Sequence, residues 1–259
     1  MKNYKGYLID LDGTMFRGNE PIDGAKAFID WLQQKQIPYV FVTNNSSATL
    51  AQVAAKLNRM EIAANEDQVI TSSKACANYI KNKVKDPLVY MIGEEGLYEA
   101  LKAKGISITD QDDANVVVIG IDRDINYEKL ANAALAVRKG AVFISTNSDV
   151  AIPSERGLLP GNGSLTAVIS VSTGQEPTFI GKPEPIIINE ALNQLDLPKK
   201  EIMMVGDNYA TDITAGIRAG IDTLMVFTGV TQKEELPNLE IQPTYYVDNL
   251  RDWVEKITS

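Results

Sequence analysis

Two aspartates one residue apart, Asp10 and Asp12, close the apolar run Tyr7-Leu8-Ile9 and lead into Gly13-Thr14. Carboxylates so placed can act as nucleophile, as general acid and base, or as ligands for a hard cation. Residues i and i+2 of a strand share one side, so the two should face one ligand if strand geometry holds that far. Three more polar groups close apolar runs or sit at turns. Thr43-Asn44-Asn45 follows Tyr39-Val40-Phe41-Val42, Lys182 lies in Gly181-Lys182-Pro183, and Asp207-Asn208 follows Ile202 to Gly206, with Asp212 a short step on. Blander roles compete at each position. Asp favours turns, Lys182 could be a solvated surface lysine, and Asp212 could be a first-turn helix acid. A calcium loop opened by Asp10 would need Glu at its last position, where the chain has Pro21.

Composition narrows the chemistry. The 259 residues include no histidine and one cysteine, Cys76. Histidine-based nucleophile systems and histidine-ligated metals are therefore excluded. Acid–base work falls to Asp, Glu, Lys, Tyr or Cys, and any metal should be hard and oxygen-bound. Cys76 sits in a helical pattern as a small hydrophobe, and a single cysteine suits a reducing compartment. A net charge of −9 argues against nucleic acid and anionic membranes as partners. No apolar run reaches the ~20 residues that span a bilayer. Residues 1–6 lead into the first strand without a secretion-signal pattern, so a cytoplasmic location is expected.

The elements that must position these groups alternate. Strands are predicted at 7–9, 38–42 and 69–71, with helices over 24–36, from 50 onward and over 72–81, the last capped by Ser72 or Ser73. The charged stretch 81–87 reads as a linker. A second alternating set follows: strands at 88–92, 116–119 and 141–144, helices over 96–104 and 127–138, a Pro- and Gly-rich loop over 151–163, and a helix near 164–173. The first pattern returns with 178–180, helices at 185–195 and 212–219, strands at 202–205, 223–227 and 245–247, and a closing helix. Such alternation predicts an α/β fold, a doubly wound parallel sheet interrupted by a smaller α/β insert. The expected division is core 1–82, insert 83–177 and core 178–259. In open α/β sheets ligands sit beyond the carboxyl ends of the strands, where the polar groups fall. Within the insert, Asp122-Arg123 and Asn147 to Asp149 follow strands and are candidate substrate contacts, with ordinary turn chemistry as the alternative. Gly161-Asn162-Gly163 ahead of a helix is a weak candidate for anion binding.

Taken together, D-x-D-G-T, the strand-end Thr43, Gly-Lys-Pro and G-D-x-x-x-x-D resemble the haloacid dehalogenase superfamily of aspartate-based phosphotransferases. Val-Thr-Asn-Asn, Gly-Asp-Asn-Tyr-Ala-Thr-Asp and an insert between Thr43 and Lys182 are similar to its NagD-like phosphatases, class IIA, with a C2-type α/β cap. The likeness spans the chain without departing from the four motifs. It implies a Rossmann-like core, a cap that closes over the site, Mg²⁺ as cofactor and small phosphomonoesters as substrates: nucleoside monophosphates, sugar phosphates and aryl phosphates. It implies Asp10 as nucleophile, Asp12 as general acid and base, and Mg²⁺ on Asp10, the Asp12 carbonyl and Asp207. Thr43, Asn44 and Asn45 would hold phosphate or substrate with Lys182, and Asn208 and Asp212 would support them. Phosphoryl transfer suits such a set: a carboxylate ~4 Å from a phosphate charge is repelled by about 4 kcal/mol at an effective dielectric near 20, which a divalent cation and Lys182 would offset. The same chemistry with another acceptor, a phosphotransferase or mutase, is one rival. A non-catalytic phospho-receiver is another, against which Asp12 and the insert both argue, and a nicotinamide enzyme is distant because its glycine fingerprint is missing. The physiological substrate is left open, and a homodimer is compatible with the sequence.

Overall fold

The computed structural model describes residues 2–154 and 156–258. The chain runs β1 (Gly6–Ile9), a small hairpin of β2 (Phe16–Arg17) and β3 (Glu20–Pro21), α1 (Ala25–Gln34), β4 (Tyr39–Thr43), α2 (Leu50–Arg59), β5 (Val69–Thr71) and α3 (Ser72–Lys83). It continues through β6 (Leu88–Ile92), α4 (Glu95–Ala103), β7 (Ser107–Thr109), β8 (Val116–Ile119), α5 (Tyr127–Arg138), β9 (Val142–Ser145), the hairpin β10 (Ala151–Ser154) and β11 (Gly157–Pro160), α6 (Asn162–Thr173) and β12 (Thr178–Phe179). It closes with α7 (Pro185–Leu195), β13 (Ile202–Gly206), α8 (Thr214–Ala219), β14 (Asp222–Val226), β15 (Tyr245–Val247) and α9 (Leu250–Thr258). No helix among the described residues is long and apolar enough to cross a membrane.

The chain forms two compact units: residues 1–43, 50–70 and 182–259, and residues 44–49 with 71–181. The first is built on a sheet of order β15-β14-β13-β1-β4-β5. β1 lies at its centre, parallel to both β13 and β4, with Leu8 opposite Met204 on one side and Val40 on the other. Both faces are covered, as a buried parallel sheet requires. The Tyr7 ring packs edge-on against Phe28 and Trp31 of α1. On the opposite pleat a Cβ at Gly6 would come 2.9 Å from Leu197 and 3.2 Å from Leu195, at the end of α7. After β1 the chain builds outward through β4 and β5, then returns to build the other way through β13, β14 and β15. The order reverses at β1, so a crevice is expected beyond the carboxyl ends of β1, β4 and β13.

The second unit carries the sheet β12-β9-β8-β6-β7, parallel throughout. One face packs Tyr90, Val117, Ile119 and Phe143 against Ala133, Ala136 and Val137 of α5 and Ile169 of α6. Asn126 caps α5 by accepting from Lys129 N–H at 3.0 Å, and Gly174, at φ 70°, ends α6 in the left-handed conformation that glycine adopts without strain.

The structure departs from the sequence reading at several joints. The predicted joins at 82/83 and 177/178 fall inside the second unit. Strand β5 runs into α3 without a loop, so Thr71, not Ser72 or Ser73, caps that helix, accepting from Lys74 N–H at 3.1 Å. The helix extends to Lys83, into the stretch read as a linker. The predicted loop over 151–163 is a hairpin followed by the start of α6. Its prolines, Pro153 and Pro160, sit in a two-stranded ribbon, where each strand has an open edge and a missing N–H costs little. The helix expected at Asp212 is preceded by a π turn over Tyr209–Ile213.

Candidate active site

Asp10 continues the ladder of β1 by one bond, its N–H donating to Val205 O at 2.9 Å, although the regular strand ends at Ile9. Its carboxylate is buried, 7% exposed. The strand argument does not extend to Asp12. The backbone turns after Ile9, Asp12 bridges Phe16 of the small hairpin, and its side chain is exposed and outside the buried carboxylate cluster. Partial desolvation pushes the Asp12 carboxyl upward, against the pull of Lys56 and Arg17. Gly13 makes the turn at φ 91°, and a Cβ there would lie 2.4 Å from Asp207 Oδ2.

Asp207 follows β13 and is fully buried. Thr14 Oγ1 donates to its Oδ1 at 3.0 Å, and Val230 N–H donates to its Oδ2 at 2.7 Å. Asp212, from the π turn, is also buried and accepts from Asn208 N–H at 3.1 Å. The Asn208 side chain accepts from Ala210 N–H at 3.0 Å and so holds the turn. One carboxylate oxygen each from Asp10, Asp207 and Asp212 lie within 4.8 Å of one another.

Lys182 is the counter-charge. It is 2% exposed, yet its ammonium bonds the Asp10 carboxylate, pairs with Asp212 Oδ1 at 2.8 Å and donates to Val42 O at 2.9 Å. These are the three donors an ammonium has. Val42 immediately precedes Thr43, which is 8% exposed at the end of β4. Burial opposes the charged ammonium, but Asp10 and Asp212 outweigh it and hold the Lys182 pKa above its ordinary value. Burial, then repulsion from Asp212, drives the Asp10 carboxyl well above the usual range, against the pull of Lys182. The same two causes in the same order push Asp207 up to about 6.

Fully ionised, the three carboxylates against one ammonium would carry two uncompensated negative charges in a buried space, which is why burial and mutual repulsion raise Asp10 and Asp207. The donor set is all carboxylate oxygen, the kind a hard divalent cation takes. The residues therefore fit such an ion by both charge and chemistry.

The second unit holds the remaining candidates. Asn44 Nδ2 donates to Asp149 Oδ2 at 3.2 Å. Asn45 Oδ1 accepts from the N–H groups of Ser47 and Ala48, at 3.0 and 2.8 Å, so its side chain holds a turn. Asp122 is buried against Lys129 at 2.7 Å, and Arg123 pairs with Glu94 at 2.6 Å. Asn147 is 5% exposed and donates to Asn44 O at 2.8 Å. Around Gly161-Asn162-Gly163 the N–H of Gly163 is taken by Asp149 O at 2.8 Å, and a Cβ at Gly163 would lie 2.4 Å from Ser148 O. Carbonyls rather than an open N–H cradle face those glycines, which counts against an anion there.

Sequence reasoning did not reach Thr14 and Val230 as the donors that hold Asp207, or Asp212 as a full member of the carboxylate cluster. Thr14 stands in the D-x-D-G-T run and was within reach; Val230 N–H is a backbone group with no residue signature.

Two family profiles match the chain, one of haloacid dehalogenase-like hydrolases over residues 7–107 and one described as HAD-hydrolase-like over residues 179–253. An acid sugar phosphatase of Staphylococcus haemolyticus is 56% identical over 250 residues, 96% of this chain and 95% of that one. The 5′-nucleotidase YutF of Bacillus subtilis is 55% identical over 257 residues, 99% of this chain and all of that one, 100%. Among solved structures, a thermostable NPPase double mutant of Geobacillus stearothermophilus superposes with a TM-score of 0.93 at 56% identity, covering 98% of this chain and 99% of that one. A 4-nitrophenylphosphatase of Thermotoga maritima does so with a TM-score of 0.92 at 32% identity, covering 97% of each chain.

Proposed function

The chain belongs to the haloacid dehalogenase-like hydrolases and is a NagD-like phosphatase, and on that premise we propose that it hydrolyses small phosphomonoesters through an aspartyl-phosphate, with Mg²⁺ as cofactor. The observation that carries the reading is the buried set Asp10, Asp207 and Asp212 around Lys182. Acid sugar phosphatase, 5′-nucleotidase and nitrophenylphosphatase relatives share hydrolysis of a phosphate ester, with unlike leaving groups. Sugar phosphates, nucleoside monophosphates and aryl phosphates are accordingly the substrate classes.

An Asp10 oxygen attacks phosphorus as the ester P–O bond breaks, and Asp12 gives its proton to the departing alkoxide. An upward-shifted carboxyl in a partly solvated position suits a donor, which can also recover a proton from solvent. Water then attacks phosphorus of the acyl phosphate, Asp12 takes its proton, and phosphate leaves with the Asp10 carboxylate restored. Lys182 pulls the Asp10 carboxyl toward its ionised form, against burial and Asp212, and neutralises phosphoryl charge during attack. The Thr43 hydroxyl and Asn44 N–H bind the phosphoryl oxygens. Asp10, Asp207 and the Asp12 carbonyl would hold Mg²⁺, with Asp212 beside them. When bound, the ion supplies positive charge that offsets repulsion between two anions.

Asp10→Asn tests the scheme. Its amide keeps the shape of the side chain and cannot form the acyl phosphate. Release of nitrophenolate from nitrophenyl phosphate should fall by at least about 10³-fold with the thermal melt retained. Wild-type rates in this variant would refute the nucleophile assignment.

A further inference from the structure

The loop that follows Thr43 is held through its carbonyl groups. Asn44 O accepts from both Ser72 Oγ and Asn147 Nδ2, each at 2.8 Å. Asn45 O accepts from Ser72 Oγ at 3.1 Å, Ser46 O from Ser73 Oγ at 2.9 Å, and Ser47 O from Gly96 N–H at 2.8 Å. A planar trans peptide points its N–H opposite to its carbonyl. Ser72 has one O–H to share between the Asn44 and Asn45 carbonyls; the four held carbonyls set where the N–H groups of Asn45, Ser46, Ser47 and Ala48 point.

Asn147 is itself fixed on three sides. Its Oδ1 accepts from Asp149 N–H at 3.1 Å. Its carbonyl accepts from Ser145 Oγ at 3.0 Å and from Asn162 Nδ2 at 2.8 Å. The backbone just ahead of Lys182 joins the same network: Gly181 N–H donates to Thr146 O at 2.8 Å. A Cβ on Gly181 would come 2.6 Å from Asn44 Oδ1 and 2.7 Å from Thr146 O. Ser72, Ser73, Ser145, Asn147 and Asn162 are each 5% exposed or less. Burying this many polar groups is costly unless their bonds are made, and apolar side chains of equal size would fill the space without that risk. What such a network adds over an apolar core is a single fixed geometry.

We propose that Asn147, together with Ser72, is a positioning residue for the phosphoryl group. The two fix the Asn44–Asn45 peptide plane, which orients the Asn45 N–H directly and, by restricting ψ at Asn44, limits how the preceding Thr43–Asn44 peptide can turn its Asn44 N–H. Asn147 thus acts on the phosphoryl group common to all substrates and does not touch the leaving group. This inference rests on the phosphatase reading above.

The test measures kcat and KM for an aryl phosphate, a sugar phosphate and a nucleoside monophosphate, and the inhibition constant of inorganic phosphate, which carries no leaving group. Asn147→Ala should lower kcat/KM about tenfold or more, by one common factor across the three substrates, and raise the phosphate inhibition constant in parallel. Ser72→Ala should show the same uniform loss, and Ser72→Thr, which keeps the hydroxyl, should recover most of it. If Asn147→Ala fails to fold, the Ser72 pair carries the test alone. Losses that differ between substrates with an unchanged phosphate constant would overturn the inference and make Asn147 a leaving-group contact. Unchanged kinetics would overturn it too. Wild type and Asp10→Asn run alongside: an active wild type and a silent Asp10→Asn leave the phosphatase reading standing whatever Asn147 does, whereas an inactive wild type defeats both.

Discussion

Lys182 Nζ and Asp212 Oδ1 lie 2.8 Å apart with each side chain 2% exposed, and the same ammonium also bonds Asp10. One lysine thus separates two acids that would otherwise repel each other in a medium of low dielectric. A buried pair of this kind contributes little net stability, but removing one partner strands the other's charge. Lys182→Met should cost about 3–5 kcal/mol of unfolding free energy. Turnover should fall by about 10³-fold or more with it, since the charge offsetting phosphoryl repulsion is gone. Urea unfolding and nitrophenyl phosphate assays check both. A variant that keeps wild-type turnover would remove Lys182 from the machinery.

The carboxylate cluster ties stability to divalent cation and to pH. Burial and then Asp212 raise Asp207 to about 6, above its unfolded value. A carboxyl raised on folding adds stability at low pH, and that stability is lost as pH rises through about 6. Protein stripped by a chelator should therefore weaken between about pH 4 and pH 6. Added Mg²⁺ should restore about 2.7 kcal/mol at a hundredfold excess over its dissociation constant, near neutral pH. The gain should shrink as the solution is acidified, because protons and cation compete for the same oxygens. Thermal melts across pH with and without Mg²⁺ measure this, and melts and activity indifferent to chelation would contradict the cation assignment.

Asp222, at the start of β14, anchors the chain ahead of β1. Lys2 Nζ lies 2.6 Å and Tyr4 OH 2.7 Å from its Oδ2. Partial burial pulls the carboxyl upward, but the bonds from Lys2 and Tyr4 outweigh it and hold its pKa below the ordinary value. A depressed carboxyl adds stability above its unfolded pKa and loses it as pH falls through the folded value. Asp222→Asn should then cost about 1 kcal/mol at neutral pH. The difference from wild type should shrink as pH falls through the lowered folded value of Asp222. A gap that does not shrink on acidification, up to the onset of acid unfolding, would mean the anchor works through shape and not charge.

Much of the molecule follows from local rules in the chain. Apolar runs such as Tyr7-Leu8-Ile9 and Val116 to Ile119 are short and buried on both sides, so they read as parallel strands before any contact is known. The absence of histidine and the order of the strand-end acids, Thr43 and Lys182 point to oxygen-bound chemistry on an α/β core. Tertiary structure decided which of those groups meet. Asp12 is two residues from Asp10 yet stands outside the buried cluster, because the strand stops at Ile9 and the backbone turns. Asp212 joins it through a π turn that no side-chain period announces. Asn147 and Ser72 grip Asn44 across 103 and 28 residues of sequence, through bonds to backbone oxygen that every residue type offers alike. Periodicity and turn preference act over a few residues and are written in residue types. Convergence depends on sheet order and on backbone groups, which residue types do not encode locally.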